Sequence, residues 1–159
     1  QKAIAIHNRW LKRAISEYIQ KVEKQIENKQ EISSSKSTLA PWHMLDEEIR
    51  DDNRSVVEHN LIKLRTVGQL NNQEDFLNPE KAKVDFNFLK DSSTIEILAE
   101  MEHRRWMANK YYFGWEFNAE RNDGMKHHND LKEFSSLDCS TKDYDYNQIK
   151  ELQEVWEVK

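Results

Sequence analysis

Residues 94–114 read Thr94-Ile95-Glu96-Ile97-Leu98-Ala99-Glu100-Met101-Glu102-His103-Arg104-Arg105-Trp106-Met107-Ala108-Asn109-Lys110-Tyr111-Tyr112-Phe113-Gly114. At about 100° per residue, Ile95, Ala99, Trp106 and Phe113 fall on one stripe, the pattern of a helix with a single buried face. Ser93 or Thr94 is the expected N-cap, Glu96 sits in the first turn, and Gly114 is the stop. Glu102 and, at the margin, Asn109 lie inside that apolar stripe.

Working outward, a long helix is predicted over residues 2–28, with Ile4, Leu11, Ile15, Tyr18, Val22 and Ile26 at helical spacing. The run Ile32-Ser-Ser-Ser-Lys-Ser-Thr38 reads as a flexible loop. Pro41-Trp42 leads to Asp46-Glu47-Glu48, an acidic start suited to a helix N-terminus. That second helix reaches Val67, with Gly68 as its C-terminal cap, and its stripe (Ile49, Val56, Leu64, Val67) includes Asn53 and Asn60. Residues 69–93 are polar and mixed, and read as a connector. Residues 115–131 carry the turn signal Asn122-Asp123-Gly124, which fits a small hairpin or an ordered loop. A last helix from Ser140 or Thr141 carries Ile149, Leu152, Val155 and Trp156.

Composition narrows the class. The 159 residues are 33% charged and 37% apolar, with 5 Trp, 6 Phe and 5 Tyr, enough to build a core. Only 3 Gly and 2 Pro are present, too few for an all-β sandwich or a glycine-rich phosphate loop. The expected fold is all-α. Cys139 is the single cysteine, which excludes an internal disulfide framework and a cysteine zinc site. No apolar run is long enough to span a bilayer, and no signal peptide is visible, so the expected setting is cytoplasmic and membrane-free. The net charge of -5 includes no basic stripe, which argues against nucleic acid as a partner. The chain begins at Gln1 inside a helical pattern, as a piece of a longer protein would, and other domains of such a parent are candidate partners. The oligomeric state is open.

The chain also echoes itself. His7-Asn8-Arg9-Trp10 aligns with His103-Arg104-Arg105-Trp106 at an offset of 96, and Trp42-x-x-Leu45 with Phe134-x-x-Leu137 at an offset of 92. This predicts two pseudo-symmetric helix-loop-helix repeats packed together, because neither helix pair buries its apolar face alone.

The inward polar residues need partners, since a buried group left unsatisfied costs about 1–3 kcal/mol. Two readings are open. One is an internal network, with the Asn side chains on helix-end carbonyls and Glu102 on an arginine such as Arg9 or Arg54. The other is a polar pocket between the halves that receives a ligand. His103 and Trp106 share a face, as do His7 and Trp10, and Lys110 is one turn from the Trp106 indole, a spacing suited to a cation–π pair. No metal site is expected: His127-His128 with His103 and Asp123 lacks the i, i+4 His pair of a zinc hydrolase. An EF-hand alignment on Gly124 places Ala119 and Arg121 where carboxylates are required. Catalysis has little support. There is no nucleophile elbow, Cys139 has no placeable His partner, and Glu102 with His103 is the one acid–base pair to consider, with a raised Glu102 pKa.

Ala99-Glu100-x-x-His103-x-x-Trp106-x-x-x-Lys110-x-x-x-Gly114-Trp115, then Arg121-Asn122-Asp123, Lys126-x-His128-x-Asp130-Leu131, Phe134-x-x-Leu137 and Lys142-x-Tyr144-Asp145, resembles the ryanodine-receptor repeat, or RyR domain. The first half resembles the partner segment that precedes this repeat in bacterial RyR-domain proteins, through Ala5-Ile6-His7, Pro41-Trp42-x-x-Leu45, Asp52-Asn53-Arg54, His59-Asn60, Lys63-Leu64-Arg65 and Gly68. It lacks the Gly-Trp and Lys-x-His elements, so a site built from that loop occurs once. Asn129 and Glu133 stand where the family usually has Pro, which loosens the loop. The resemblance implies a helical tandem repeat: a degenerate copy over 1–68, a connector over 69–93 and an RyR repeat over 94–159, with a short β element. It implies a peripheral regulatory module with no channel activity, and in some relatives an association with adenine nucleotides through aromatic and basic residues.

The resulting expectation is a non-catalytic, ligand-sensing module, without cofactor, that binds a nucleotide-like small molecule between its repeats. The candidate ligand residues are Trp10, Trp42, Asn53, Arg54, Asn60, Glu102, His103, Arg105, Trp106, Lys110, Trp115, Lys126 and His128, with Arg9 as a further basic partner. The alternative is a protein-interaction or scaffolding module with no small ligand, in which exposed aromatics form a patch.

Overall fold

The computed structural model describes residues 1–28 and 39–158. The loop expected over residues 32–38 lies outside them. Among the described residues six helices carry the fold: α1 (Lys2–Glu27), α2 (Glu47–Thr66), α3 (Gln73–Leu77), α4 (Ser92–Tyr112), α5 (Cys139–Lys150) and α6 (Leu152–Trp156). The fold is mainly all-α. The two strands, β1 (Glu116–Phe117) and β2 (His127–His128), hold two residues each.

Two helix ends follow the glycine rule. Gly68 (φ 72°) and Gly114 (φ 79°) adopt the left-handed conformation just past α2 and α4. The next N–H reaches back to the last turn in each case, Gln69 N–H to Leu64 O at 2.8 Å and Trp115 N–H to Lys110 O at 3.0 Å. The N-termini differ from expectation. Asp91 caps α4 by accepting from Thr94 N–H at 2.9 Å, and Asp138 caps α5 by accepting from Thr141 N–H at 2.8 Å. The Ser and Thr expected to cap lie inside the first turn, because an aspartate three residues earlier offers the stronger acceptor. The last helix is also broken, α5 ending and α6 starting at Glu151.

Packing runs α1 against α2, α2 against α4, α4 against α5, and α6 back against α1. Leu98, Ala99, Phe134, Leu137 and Ile149 form one core cluster; Leu64, Leu70 and Leu152 a second; Ile6, Val56 and Val155 a third. Residues 69–93 do more than connect: Leu70 is fully buried, Val84 and Phe86 pack on the second cluster, and Phe88 packs on the first two. The face of α1 also differs from the expected stripe. Ile6 and His7 are its buried residues, while Ile4, Ile15 and Ile26 are exposed. The inner face of α1 is set by its neighbours: Arg9 pairs with Glu154 on α6, and Arg13 with Glu151 at the α5–α6 junction.

Matching contacts occur in the two halves. His7 Nε2 lies 2.7 Å from Ala40 O and His103 Nε2 lies 2.8 Å from Lys132 O. His7 stacks on Trp10 with ring centroids 5.8 Å apart, and His103 on Trp106 at 5.5 Å. Trp42 and Phe134 each open a three-residue 3₁₀ turn and tilt against the respective histidine, at 6.1 and 5.9 Å. Leu45 and Leu137 are buried just after those turns.

Candidate functional site

Two polar centres account for most of the residues singled out in the sequence. The first is a buried ionic clasp between α2 and α4. Lys63, 0% exposed, donates to Glu102 Oε2 at 2.5 Å and to Asn60 Oδ1 at 3.0 Å. Arg105 donates to the other oxygen of Glu102 at 2.9 Å, to Asp52 at 2.9 Å and to Ser55 Oγ at 2.5 Å. Two cations and two carboxylates thus close on one another. Lys63 is the member that sequence reasoning missed. Its wheel position lies about 20° from that of Val56, a signal that it faces inward, but a lysine is ordinarily a solvated residue.

Electrostatics fix Glu102 as a carboxylate. Burial alone raises its pKa, but Lys63 and Arg105 outweigh that and hold it at about 2. The raised pKa expected of a general acid is therefore corrected. The expected partners are corrected too: Arg9 binds Glu154, and Arg54 binds Glu47 on the surface. Asn53 donates to the Ile49 carbonyl of its own helix at 2.8 Å. Burial and the nearby Lys63 cation lower His59 to about 4. His103 sits between the Lys132 carbonyl and Asp145, whose Oδ2 is 3.4 Å from Nδ1; burial favours the neutral ring, but these two acceptors outweigh it and raise its pKa.

The second centre joins the loop after α4 to the first turn of α2. Trp115 Nε1–H donates to Glu48 Oε1 at 2.6 Å, Lys110 Nζ lies 3.4 Å from the same oxygen, and Lys126 Nζ lies 3.6 Å from Oε2. Lys126 also donates to the Phe113 carbonyl at 2.6 Å. Lys110 lies over the Trp115 ring at 5.2 Å, and the expected pairing with Trp106 is replaced by this one. The reason is Gly114, whose turn brings Trp115 back beside Lys110. His128 packs edge-on against Trp106 at 4.9 Å and Trp115 at 5.9 Å. Its Nδ1 accepts from Asp130 N–H at 3.1 Å, and Arg121 Nη1 lies 3.0 Å from Nε2.

The loop is ordered without being a hairpin. Glu116 pairs with His127 and Phe117 with His128 in parallel, and Asn122 forms a separate antiparallel bridge to His127. A 3₁₀ turn at Asp123–Met125, capped by the Asn122 side chain, reverses the chain, and Lys126 at φ 56° completes the reversal. That left-handed residue aims β2 along β1.

Trp10 and Trp42 flank His7, and all five tryptophans are partly buried. Glu48 is the functional candidate the sequence did not single out, because it reads as one of three acidic residues opening a helix. Among the described residues no group of three His, Cys, Asp or Glu side chains is placed to hold a metal ion, and no helix is long and apolar enough to cross a membrane.

No curated protein and no solved structure matches the chain. Residues 88–156 match the RyR domain family, a span running from the 3₁₀ turn before α4 through α6 that includes the Trp115 loop and one side of each polar centre. The family resemblance read from the sequence is thus shown over residues 88–156.

Proposed function

We propose that the chain is a non-catalytic, ligand-responsive regulatory module whose ligand is a nucleotide-like anion held between its two halves by Trp115, Lys110 and Lys126. The observation that carries this reading is the convergence of an indole N–H and two ammonium groups on a single carboxylate, Glu48, supplied by the other half of the chain. A phosphate oxygen offers the same charge and better acceptor geometry to those donors. Trp115, Trp106 and His128 supply aromatic surface beside it, on which a base can stack. Displacing Glu48 would free the first turn of α2 from the loop, which is how occupancy is communicated across the chain. The clasp residues serve the fold in this reading, since Lys63, Glu102, Arg105 and Asp52 neutralise one another. The same reading takes residues 1–68 as a degenerate second copy of the unit, without the loop that builds the site.

Thermal unfolding against AMP, ADP, cyclic nucleotides and inorganic phosphate tests it. A ligand at 100 times its dissociation constant stabilises by about 2.7 kcal/mol, which raises Tm by roughly 5–10 °C at this size. Glu48→Gln should strengthen that binding and Lys126→Ala weaken it. A flat panel for both wild type and Glu48→Gln refutes the reading. A protein-docking function then takes its place, favoured by Tyr112 and Phe117, which are 82% and 54% exposed around the same loop.

A further inference from the structure

A depression that shares no residue with the Glu48 centre lies between the start of α1, the middle of α2, the turn at Pro79–Lys81 and α6. It encloses about 300 Å³, within the size range of small-molecule sites. Its walls are apolar, from Val57, Leu61, Val155 and the Trp156 indole, while Glu58 and Glu80 supply carboxylates. Lys2 already reaches into it, its ammonium 4.5 Å from the centroid of the Trp156 ring.

The position of Lys2 is informative because its ammonium lies over an aromatic face on the wall of the depression. Burial lowers its pKa, and Glu80 opposes that loss. The cation lies over an indole face, with the Glu80 carboxylate lining the same depression. Those are the two elements that recognise an alkylammonium group, and the apolar wall beyond them accommodates a compact hydrocarbon body. Phosphate is a poor match, since Glu58 and Glu80 would repel it.

We propose that this cavity is a binding site for a small organic monocation, a primary or quaternary ammonium with a compact apolar body, and that the Lys2 side chain occupies the cation position when the site is empty. The site is separate from the Glu48 centre and does not depend on how that centre functions. A ligand here would bridge α1, α2 and α6, tightening the contact that closes the two halves.

Choline chloride serves as the probe, and its uncharged isostere 3,3-dimethyl-1-butanol as the control, each titrated while the indole N–H resonance of Trp156 is followed by NMR. The expected result is a saturable choline shift in the wild type, with affinity raised about fivefold or more in Lys2→Ala, where the internal competitor is gone. Glu80→Gln should lower choline affinity by about threefold or more, and the alcohol should bind far more weakly than choline in every variant. Circular dichroism confirms that each variant is folded. Absence of a choline shift in folded Lys2→Ala, an affinity unaltered by Lys2→Ala, or equal binding of the alcohol each overturns the proposal.

Discussion

The contact of α2 with α4 and the contact of α1 with α6 are built from opposite chemistry. At the offsets that relate the two histidine contacts, Glu102 corresponds to Ile6 and Lys63 to Val155. The first contact is thus a buried ion pair and the second is part of an apolar cluster with Val56. A buried ion pair gains little over well-packed hydrocarbon, because desolvation offsets most of the Coulomb attraction. What it adds is pairing specificity: Lys63 can be buried only against Glu102 and Asn60, so α2 and α4 can meet in one register.

The largest expected effect breaks that comparison from one side. Glu102→Leu leaves Lys63 buried without its carboxylate and should cost about 3–5 kcal/mol, read from the midpoint of urea unfolding. The double substitution Lys63→Val with Glu102→Ile copies the other contact, and should return stability to near the wild-type value or above it. A double variant as unstable as the single one would show that the two contacts are not interchangeable.

The histidine contacts sharpen the comparison at smaller magnitude. His7→Ala and His103→Ala each remove a ring N–H bond to a carbonyl and the stacking on a tryptophan. Each should cost about 1–3 kcal/mol, with His103 the larger because Asp145 loses its partner as well. The two losses should add, since the sites share no partner.

The smallest effect is a pH dependence that rests on His103 and Asp145. Asn53 stands in the first half where Asp145 stands in the second, and its amide is spent on its own helix. The raised pKa of His103 means that the folded state binds more protons than the unfolded state above the ordinary histidine value of about 6.5. Its stabilisation is therefore complete below that value and lost as pH rises through the folded pKa. Tm of the wild type should fall over that range, and Asp145→Asn should flatten the fall. His59, lowered to about 4, has the opposite sign in a separate window, from about 4 to 6.5, where stability rises with pH.

The inward stripes of α2 and α4 were legible in the sequence, down to Asn60 and Glu102, because a helix with one packed face repeats its pattern locally. Gly68 and Gly114 were legible for the same reason. The partners were not. That Glu102 meets Lys63 and Arg105 instead of Arg9 or Arg54 depends on which helices become neighbours, a property of the whole chain. The α1 face was misjudged because Ile15 and Ile26 supply a strong periodic signal while the packed face holds His7 and Trp10, residues of mixed polarity. The parallel pairing of β1 with β2 was hidden because Asn122-Asp123-Gly124 signals a tight reversal, whereas the left-handed Lys126 adds a second turn. Trp115 and Lys126 were identified as site residues, but Glu48, on which they converge, lies 67 positions before Trp115.

The short α6 bears on how the chain reaches this arrangement. Five residues are too few to hold a helix in water, since nucleation alone costs more than one turn returns. Its stability comes from tertiary packing, Arg9 with Glu154, Ile6 with Val155 and Leu152 with Leu64 and Leu70, pairings between residues far apart in the sequence. Contacts of such separation form late, after the loop entropy has been met by nearer ones. α6 is therefore the closing element of folding and the first to open, and its amide hydrogens should exchange faster than those of α2 and α4 in an otherwise native molecule.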